Sequence, residues 1–318
     1  MHIAVLDDYQ GVCDRYADWS ILDGRITRTV FRDHEADPNR LADRLQSFDA
    51  IATMRERTPF PRTLLERLPR LRLLTTTGMR NRAFDLACAR ERGIVVCGTQ
   101  STYDSTSELT LGLILALARG LLIEHGSIAA GGWQVGVGMG LRGRILGLMG
   151  LGKIGAEVAA LARLLGMRVI AWSPNLTPER AAPHHATLVD KATLFAEADV
   201  ISIHMVLSPR TLRIVGREDI ARMKPSAFLV NTSRGPLIDE AALVDALERG
   251  AIAGAGLDVF EVEPLPPDAP IRRCRRAILT PHIGYVTGDH YRIFFEQTVE
   301  NIAAFLDGAP IRPLMEAS

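Results

Sequence analysis

The sequence predicts an α/β protein built from two doubly wound, mainly parallel sheets. Short runs rich in Val, Ile and Leu alternate with longer helical patterns along the whole chain, as βαβ units require. These runs fall into two sets, separated by a long helical pattern and a glycine-rich loop. The length of 318 residues suits about two domains at roughly 100–200 residues each.

The first set of strand candidates is HIAVL (2–6), RITRTVF (25–31), DAIAT (49–53), LRLLTTT (71–77) and GIVVCG (93–98). The second is GRILGLMG (143–150), RVIAWS (168–173), DVISIHM (199–205), AFLVNTS (227–233), AGAGLDVF (253–260) and AILT (277–280). Between the sets a helical pattern runs from Tyr103 to Ile128, and the following GGWQVGVGMGLRGR marks irregular backbone and the domain junction. A last helical pattern, Thr287 to Leu306, begins after the second sheet is complete and is expected to fold back onto the first domain.

Composition narrows the function classes. A formal net charge of +0 with 47% hydrophobic residues excludes a disordered chain and leaves no global electrostatic footprint for nucleic acid. Of the 37 basic residues 34 are Arg, which is compositional background except where a strand end singles one out. Cys13, Cys88, Cys97 and Cys274 form no C-x-x-C pair and no metal-ligand spacing, so reduced, buried thiols and no metal site are expected. The N-terminal MHIAVLDD enters a strand-like run at once. The longest apolar stretch, Leu109 to Leu122, is broken by Arg119 and falls short of the roughly 20 residues a membrane span needs. A cytoplasmic protein with neither membrane nor nucleic-acid partner is the expectation.

The segment GLGKIG, Gly150 to Gly155, has G-x-G-x-x-G spacing, directly after the apolar RILGLM and before KIGAEVAALARLLG, whose Ile154, Val158, Leu161 and Leu165 recur at helical spacing. In that setting Gly150 permits a tight turn, Gly152 lets the backbone approach a pyrophosphate, and Gly155 lets helix and strand pack closely. Strand, turn and helix in this order favour a dinucleotide site over a turn that merely needs glycine. The acid expected about 20 residues on, to hold the adenosine ribose, is replaced by Ser173, followed by Pro174 and Asn175. Serine can bond a ribose hydroxyl but does not repel a 2′-phosphate. NAD is therefore expected with NADP not excluded, and Arg180 is either a phosphate contact or a solvated helix residue.

Three further segments place polar groups at the carboxyl ends of expected strands, where open α/β sheets bind ligands: NTSRG (231–235), LDVFEVEP (257–264) and TPHIG (280–284). Singly, Arg234, Glu263 and His282 have ordinary surface or loop explanations. Together they can do one job beside a nicotinamide. The Arg forks onto a carboxylate and carbonyl, and the His moves a proton while the acid orients it and favours the imidazolium.

The sequence resembles the D-isomer-specific 2-hydroxyacid dehydrogenase family along nearly its whole length. The resemblance is carried by TTTGMRN (75–81), STSELTLGLILALAR (105–119), GLGKIG, LVNTSRGPLIDEAAL (229–243), GLDVFEVEP and TPHIG. It implies two similar Rossmann or flavodoxin-like domains, with an NAD(P)-binding domain of about 99–285 inserted into a substrate domain of 1–98 and 286–318. It implies hydride transfer between a nicotinamide cofactor and a small D-2-hydroxy or 2-oxo acid such as glyoxylate, hydroxypyruvate or a phosphoglycerate-like acid. By resemblance Arg234, Glu263 and His282 are catalytic. Gly150, Gly152, Lys153, Ile154, Gly155, Ser173, Thr232, Ser233, Asp258 and Gly284 would hold the cofactor, Asp258 at the nicotinamide carboxamide. Gly78, Met79 and Arg80 would receive the substrate carboxylate on backbone N–H groups.

The chain departs from the family at Ser173 and at Tyr285, which follows Gly284 where a second glycine is common. Tyr285 either touches substrate or packs between domains. Arg80 with Arg55 and Arg57 either binds a second anionic group or pairs with surface acids. The resemblance also implies a homodimer, with the 103–128 helix and glycine-rich loop as its arm. A nucleotide-sensing corepressor or binding protein on the same fold is the alternative from another class.

Overall fold

A computed structural model of the chain describes residues 1–314. All eleven expected strands form, and every pairing between strands is parallel. By internal contacts the chain divides into two compact units: Met1–Thr102 together with the segment from Thr287, and Tyr103–Val286.

The first unit holds β1 (His2–Val5), β2 (Thr27–Val30), β3 (Ala50–Thr53), β4 (Leu73–Thr76) and β5 (Val95–Cys97) in the order β2-β1-β3-β4-β5. β3 and β4 are buried along their whole length, as strands covered by helices on both faces must be. Helix Pro38–Leu45 starts at Asp37, whose carboxylate accepts from the N–H groups of Asn39 and Arg40, and it turns Leu41, Ala42 and Leu45 inward. Helix Gly288–Leu306 is N-capped by Thr287, packs against β4 and buries Tyr291, Phe294, Phe295, Val299 and Ile302 along one stripe. Phe60, Leu65, Leu68 and Leu74 lie fully buried in this unit's core, each stabilising it by about 1.5–3 kcal/mol relative to exposure.

The second unit holds β6 (Ile145–Met149), β7 (Arg168–Trp172), β8 (Thr187–Leu188), β9 (Val200–Ile203), β10 (Phe228–Asn231), β11 (Gly254–Leu257) and β12 (Ala277–Leu279). Their order is β12-β11-β10-β9-β6-β7-β8, so successive connections run one way from β6 and the other way from β9. The crevice beyond the carboxyl ends of β6 and β9 is a topological switch point. The twelfth strand, β8, went unforeseen because two residues at a sheet edge carry no periodic signal.

The helix expected over 103–128 is two helices, Asp104–Arg119 and Leu121–Ala129, bent by 62°. Gly120 sits between them at φ +61°, the left-handed conformation that ends a helix and that glycine adopts without a Cβ penalty. Helix Asp104–Arg119 packs on β10 and β11, whereas Leu121–Ala129 buries none of its residues. Among the described residues no single helix is long and apolar enough to cross a membrane.

Candidate active site

The turn after β6 is built by contact distances. Gly150 has φ +95°, and a Cβ there would lie 2.4 Å from the carbonyl oxygen of His204. A Cβ on Gly155 would lie 2.3 Å from the carbonyl oxygen of Gly150. Both positions therefore exclude any side chain. Gly152, by contrast, would meet nothing within 4 Å, so its face is open. Helix Lys153–Leu164 begins at that open face with no side chain capping it, which leaves its leading N–H groups and the positive end of its dipole for an anion. The arrangement fits the pyrophosphate of a dinucleotide, with Lys153, Ile154 and Gly155 at the donor end. The Lys153 ammonium stands 4.7 Å from the ring centroid of Tyr103.

His204, at the end of β9, underlies the same turn. Its Nε2 lies 2.9 Å from Ser202 Oγ, and its buried Nδ1 has no hydrogen-bond partner among the described residues. Burial pushes the imidazole down from 6.5 to about 4, so it is neutral beside the turn. Ser173 is half-buried at the end of β7. Arg180 donates from Nη1 to the carbonyl oxygen of Asn175 at 3.0 Å, which ties it to the loop after β7.

Adjacent strands β10, β11 and β12 carry the three polar segments, and their parallel pairing brings the carboxyl ends side by side. His282 Nδ1 lies 2.6 Å from Glu263 Oε2, and the other oxygen, Oε1, accepts the Phe260 N–H at 2.9 Å. The two side chains are 25% and 31% exposed, so the pair is sheltered without being sealed from a ligand. His282 itself has φ +53°, a left-handed backbone that turns the chain sharply at the ring. The ring of Tyr285, a buried residue, packs edge-on against it, centroids 5.6 Å apart at 73°.

Asp258 is fully buried, and burial pushes its carboxyl up from the ordinary range. Its Oδ1 accepts from Thr280 Oγ1 at 2.6 Å and from the Ile283 N–H at 2.8 Å, and Oδ2 accepts the Gly284 N–H at 2.8 Å. The resemblance puts Asp258 at a carboxamide and Gly284 among the cofactor contacts. In the structure Asp258 holds the His282 loop through the Ile283 and Gly284 N–H groups, while the Gly284 carbonyl accepts from Ser105 and Thr106.

Arg234 stands on a loop held by Asn231, which sequence reasoning passed over although it opens the NTSRG segment. Fully buried, Asn231 donates from Nδ2 to the Arg234 carbonyl at 2.9 Å and accepts the Ser233 N–H at 3.0 Å. Ser233 Oγ donates to the Ile203 carbonyl at 2.7 Å, and Arg234 Nη1 to the Ser233 carbonyl at 2.7 Å. Gly235 allows the loop to lie on its neighbour, since a Cβ there would fall 2.0 Å from the Phe260 carbonyl carbon. The Arg234 and Glu263 loops thus touch backbone to backbone.

In the first unit Gly78 follows β4 at φ +89°, and its N–H donates to Thr99 Oγ1 at 2.9 Å. That bond occupies one of the three N–H groups expected to receive a carboxylate and leaves those of Met79 and Arg80. Arg55 Nη1 lies 2.3 Å from where a Cβ on Gly78 would be, so its guanidinium covers this glycine. Arg57 donates to the Asp7 carbonyl at 2.8 Å and lies 4.5 Å from the Tyr9 ring centroid. Among the described residues no group of three or more His, Cys, Asp and Glu side chains is placed to hold a metal ion.

Comparison with known proteins agrees with this geometry. Residues 111–284 match the NAD-binding domain of the D-isomer specific 2-hydroxyacid dehydrogenases. Glyoxylate reductase of Thermococcus litoralis is 35% identical over 290 residues, covering 88% of this chain and 87% of that protein. Hydroxypyruvate reductase of Blautia hydrogenotrophica is 31% identical over 322 residues, with 98% of each chain covered. The crystal structure of phosphoglycerate oxidoreductase from Vibrio cholerae superimposes with a TM-score of 0.91 at 36% identity, covering 97% of this chain and 100% of that one.

Proposed function

The chain belongs to the D-isomer specific 2-hydroxyacid dehydrogenase family and is an NAD-dependent oxidoreductase, and from that premise we propose that it reduces a small 2-oxo acid to its D-2-hydroxy acid. Glyoxylate, hydroxypyruvate or a phosphoglycerate-like acid is the proposed substrate, with Arg234, Glu263 and His282 as the catalytic set. The observation that carries this is the 2.6 Å contact of His282 Nδ1 with Glu263 Oε2 at adjoining strand ends. An NAD-dependent enzyme leaves no need for the alternative of a nucleotide-sensing binding protein.

NADH, when bound, would supply the hydride. With Nδ1 engaged by Glu263, His282 has Nε2 left to protonate the substrate oxygen as it becomes an alkoxide. Glu263, fixed in turn by the Phe260 N–H, selects the imidazole orientation and offsets the charge of the imidazolium. Arg234 forks onto the substrate carboxylate and polarises the carbonyl, and the Met79 and Arg80 N–H groups are offered to a carboxylate. Thr232, Ser233, Asp258 and Gly284 would hold the cofactor, with Asp258 and Gly284 also fixing the His282 loop. Ser173 supplies no carboxylate to repel a 2′-phosphate, which supports acceptance of NADPH beside NADH. A homodimer is supported by exposed Leu122, Ile123, Ile128, Trp133, Val135 and Val137, a contiguous segment with a second copy as its proposed cover.

Turnover of the three substrates with each cofactor tests this reading. Arg234→Ala and His282→Ala should each lower turnover by about 10²–10⁴-fold while NADH still binds. Near-normal turnover in either variant overturns the assignment.

A further inference from the structure

Helix Asp104–Arg119 is mostly apolar, yet its first two turns carry Ser105, Thr106, Ser107 and Thr110, with Ser105, Ser107 and Thr110 buried. Hydroxyls in a helix interior compete with the backbone and weaken it, so a buried group of them calls for a reason. Three of them reach the two loops that carry His282 and Arg234. Ser105 Oγ donates to the Gly284 carbonyl at 2.8 Å, and Thr106 Oγ1 donates to the same oxygen at 3.0 Å. Both lone pairs of that carbonyl are then engaged, while the Gly284 N–H is held by Asp258. The third, Thr110 Oγ1, lies 2.8 Å from Thr232 Oγ1, two residues before Arg234.

The proton inventory gives this contact a direction. A threonine hydroxyl has one proton, and that of Thr110 goes to the Thr106 carbonyl at 2.7 Å. Thr110 must therefore accept from Thr232. Two bonds thus run in one direction, Thr232 Oγ1–H to Thr110 and Thr110 to the Thr106 carbonyl, and they polarise one another, while the Thr106 side chain separately donates to the Gly284 carbonyl.

We propose that Ser105, Thr106 and Thr110 are positioning residues that register the Arg234 loop against the His282 loop through one helix. The proposal rests on the assignment of Arg234 and His282 as catalytic. Both loops follow separate strands, and a misplacement of 1 Å between catalytic groups can cost about 10²-fold. The helix gives them a common rigid reference.

The test measures kcat and KM for the 2-oxo acid separately. Thr110→Val removes the acceptor for Thr232 and should raise KM about tenfold by loosening the Arg234 loop, with a smaller change in kcat. Ser105→Ala combined with Thr106→Val should lower kcat about tenfold with KM little changed, because it loosens the Gly284 carbonyl and with it the loop that sets His282 against Glu263. Thr110→Ser and Thr106→Ser should restore wild-type values. Ser107 is the control: its hydroxyl is buried on the same turn and bonds only the Asp104 carbonyl, so Ser107→Ala should leave kinetics unchanged. Thr106 is only half-buried, so Thr106→Val alone keeps the test open if Thr110→Val does not fold. Wild-type kinetics in the Thr variants, or an equal loss in Ser107→Ala, overturns the proposal. Wild-type turnover in His282→Ala and Arg234→Ala would instead overturn the assignment beneath it.

Discussion

The two units solve the same topological problem with opposite chemistry. Each is a parallel sheet whose first strand is a switch point: β1 lies between β2 and β3, and β6 between β7 and β9. The turn after β1 reads LDDYQG, and the turn after β6 reads GLGKIG. In the first, Asp8 accepts the N–H groups of Val12 and Cys13 at 2.9 and 3.1 Å, and Asp7 accepts Thr58 Oγ1 at 2.7 Å. The Val12 and Cys13 backbone donors there are satisfied internally by the Asp8 carboxylate. In the second no carboxylate intervenes, and the donors face open space at Gly152. Doubly wound topology supplies a crevice, and the residues of the first turn decide whether an anion can use it.

The comparison is broken most severely at Gly155. A methyl group there meets the Gly150 carbonyl at 2.3 Å, and backbone cannot swing aside as a side chain can. Gly155→Ala should therefore weaken NADH binding on the order of 10³-fold, about 4 kcal/mol, as fluorescence titration would record. Unchanged affinity would mean that the turn is not where the dinucleotide sits.

The next effect is a pH dependence confined to the second turn. His204 holds its imidazole at about 4 when folded against an ordinary 6.5. Its folded value is depressed, so the unfolded chain binds the proton first. The stability it contributes is complete above about pH 6.5 and is lost as pH falls toward 4, by up to about 3 kcal/mol. Urea unfolding of the wild type and of His204→Gln should show the difference between them changing by that amount from about pH 7 to pH 4. A constant difference would show that His204 is not held neutral.

The sequence made much of this legible, for reasons that also explain what it hid. Strands buried on both faces, such as β3 and β9, appear as near-continuous apolar runs and were easily visible, whereas two-residue β8 had no pattern to show. The Gly150 turn was readable because its constraint is local, a positive φ and a close approach within six residues. His282 and Glu263 stood out by their strand-end positions, although their 2.6 Å contact joins residues 19 apart and needs the folded sheet to form. Asn231 was harder to interpret, because a buried amide that ties down a loop looks in sequence like any polar residue, and only its hydrogen-bond partners show what it does. The break at Gly120 was hidden because apolar residues continue on both sides of it, and the turn depends on one left-handed residue.

The smallest effect separates the two turns most cleanly. Asp8→Ala in the first unit removes both side-chain acceptors at the start of helix Cys13–Tyr16 and leaves the Val12 and Cys13 N–H groups without them. The loss of such a cap should lower unfolding stability by about 1–2 kcal/mol. NADH affinity should stay as it was, because the proposed dinucleotide turn is the one after β6, whereas the Asp8 carboxylate accepts from the Val12 and Cys13 N–H groups. Measured together, urea unfolding and NADH titration then give a double contrast: Gly155→Ala acts on binding, Asp8→Ala on stability alone. An NADH affinity that fell with Asp8→Ala would show that the self-capped turn takes part in cofactor binding, and the division of labour between the two switch points would have to be abandoned.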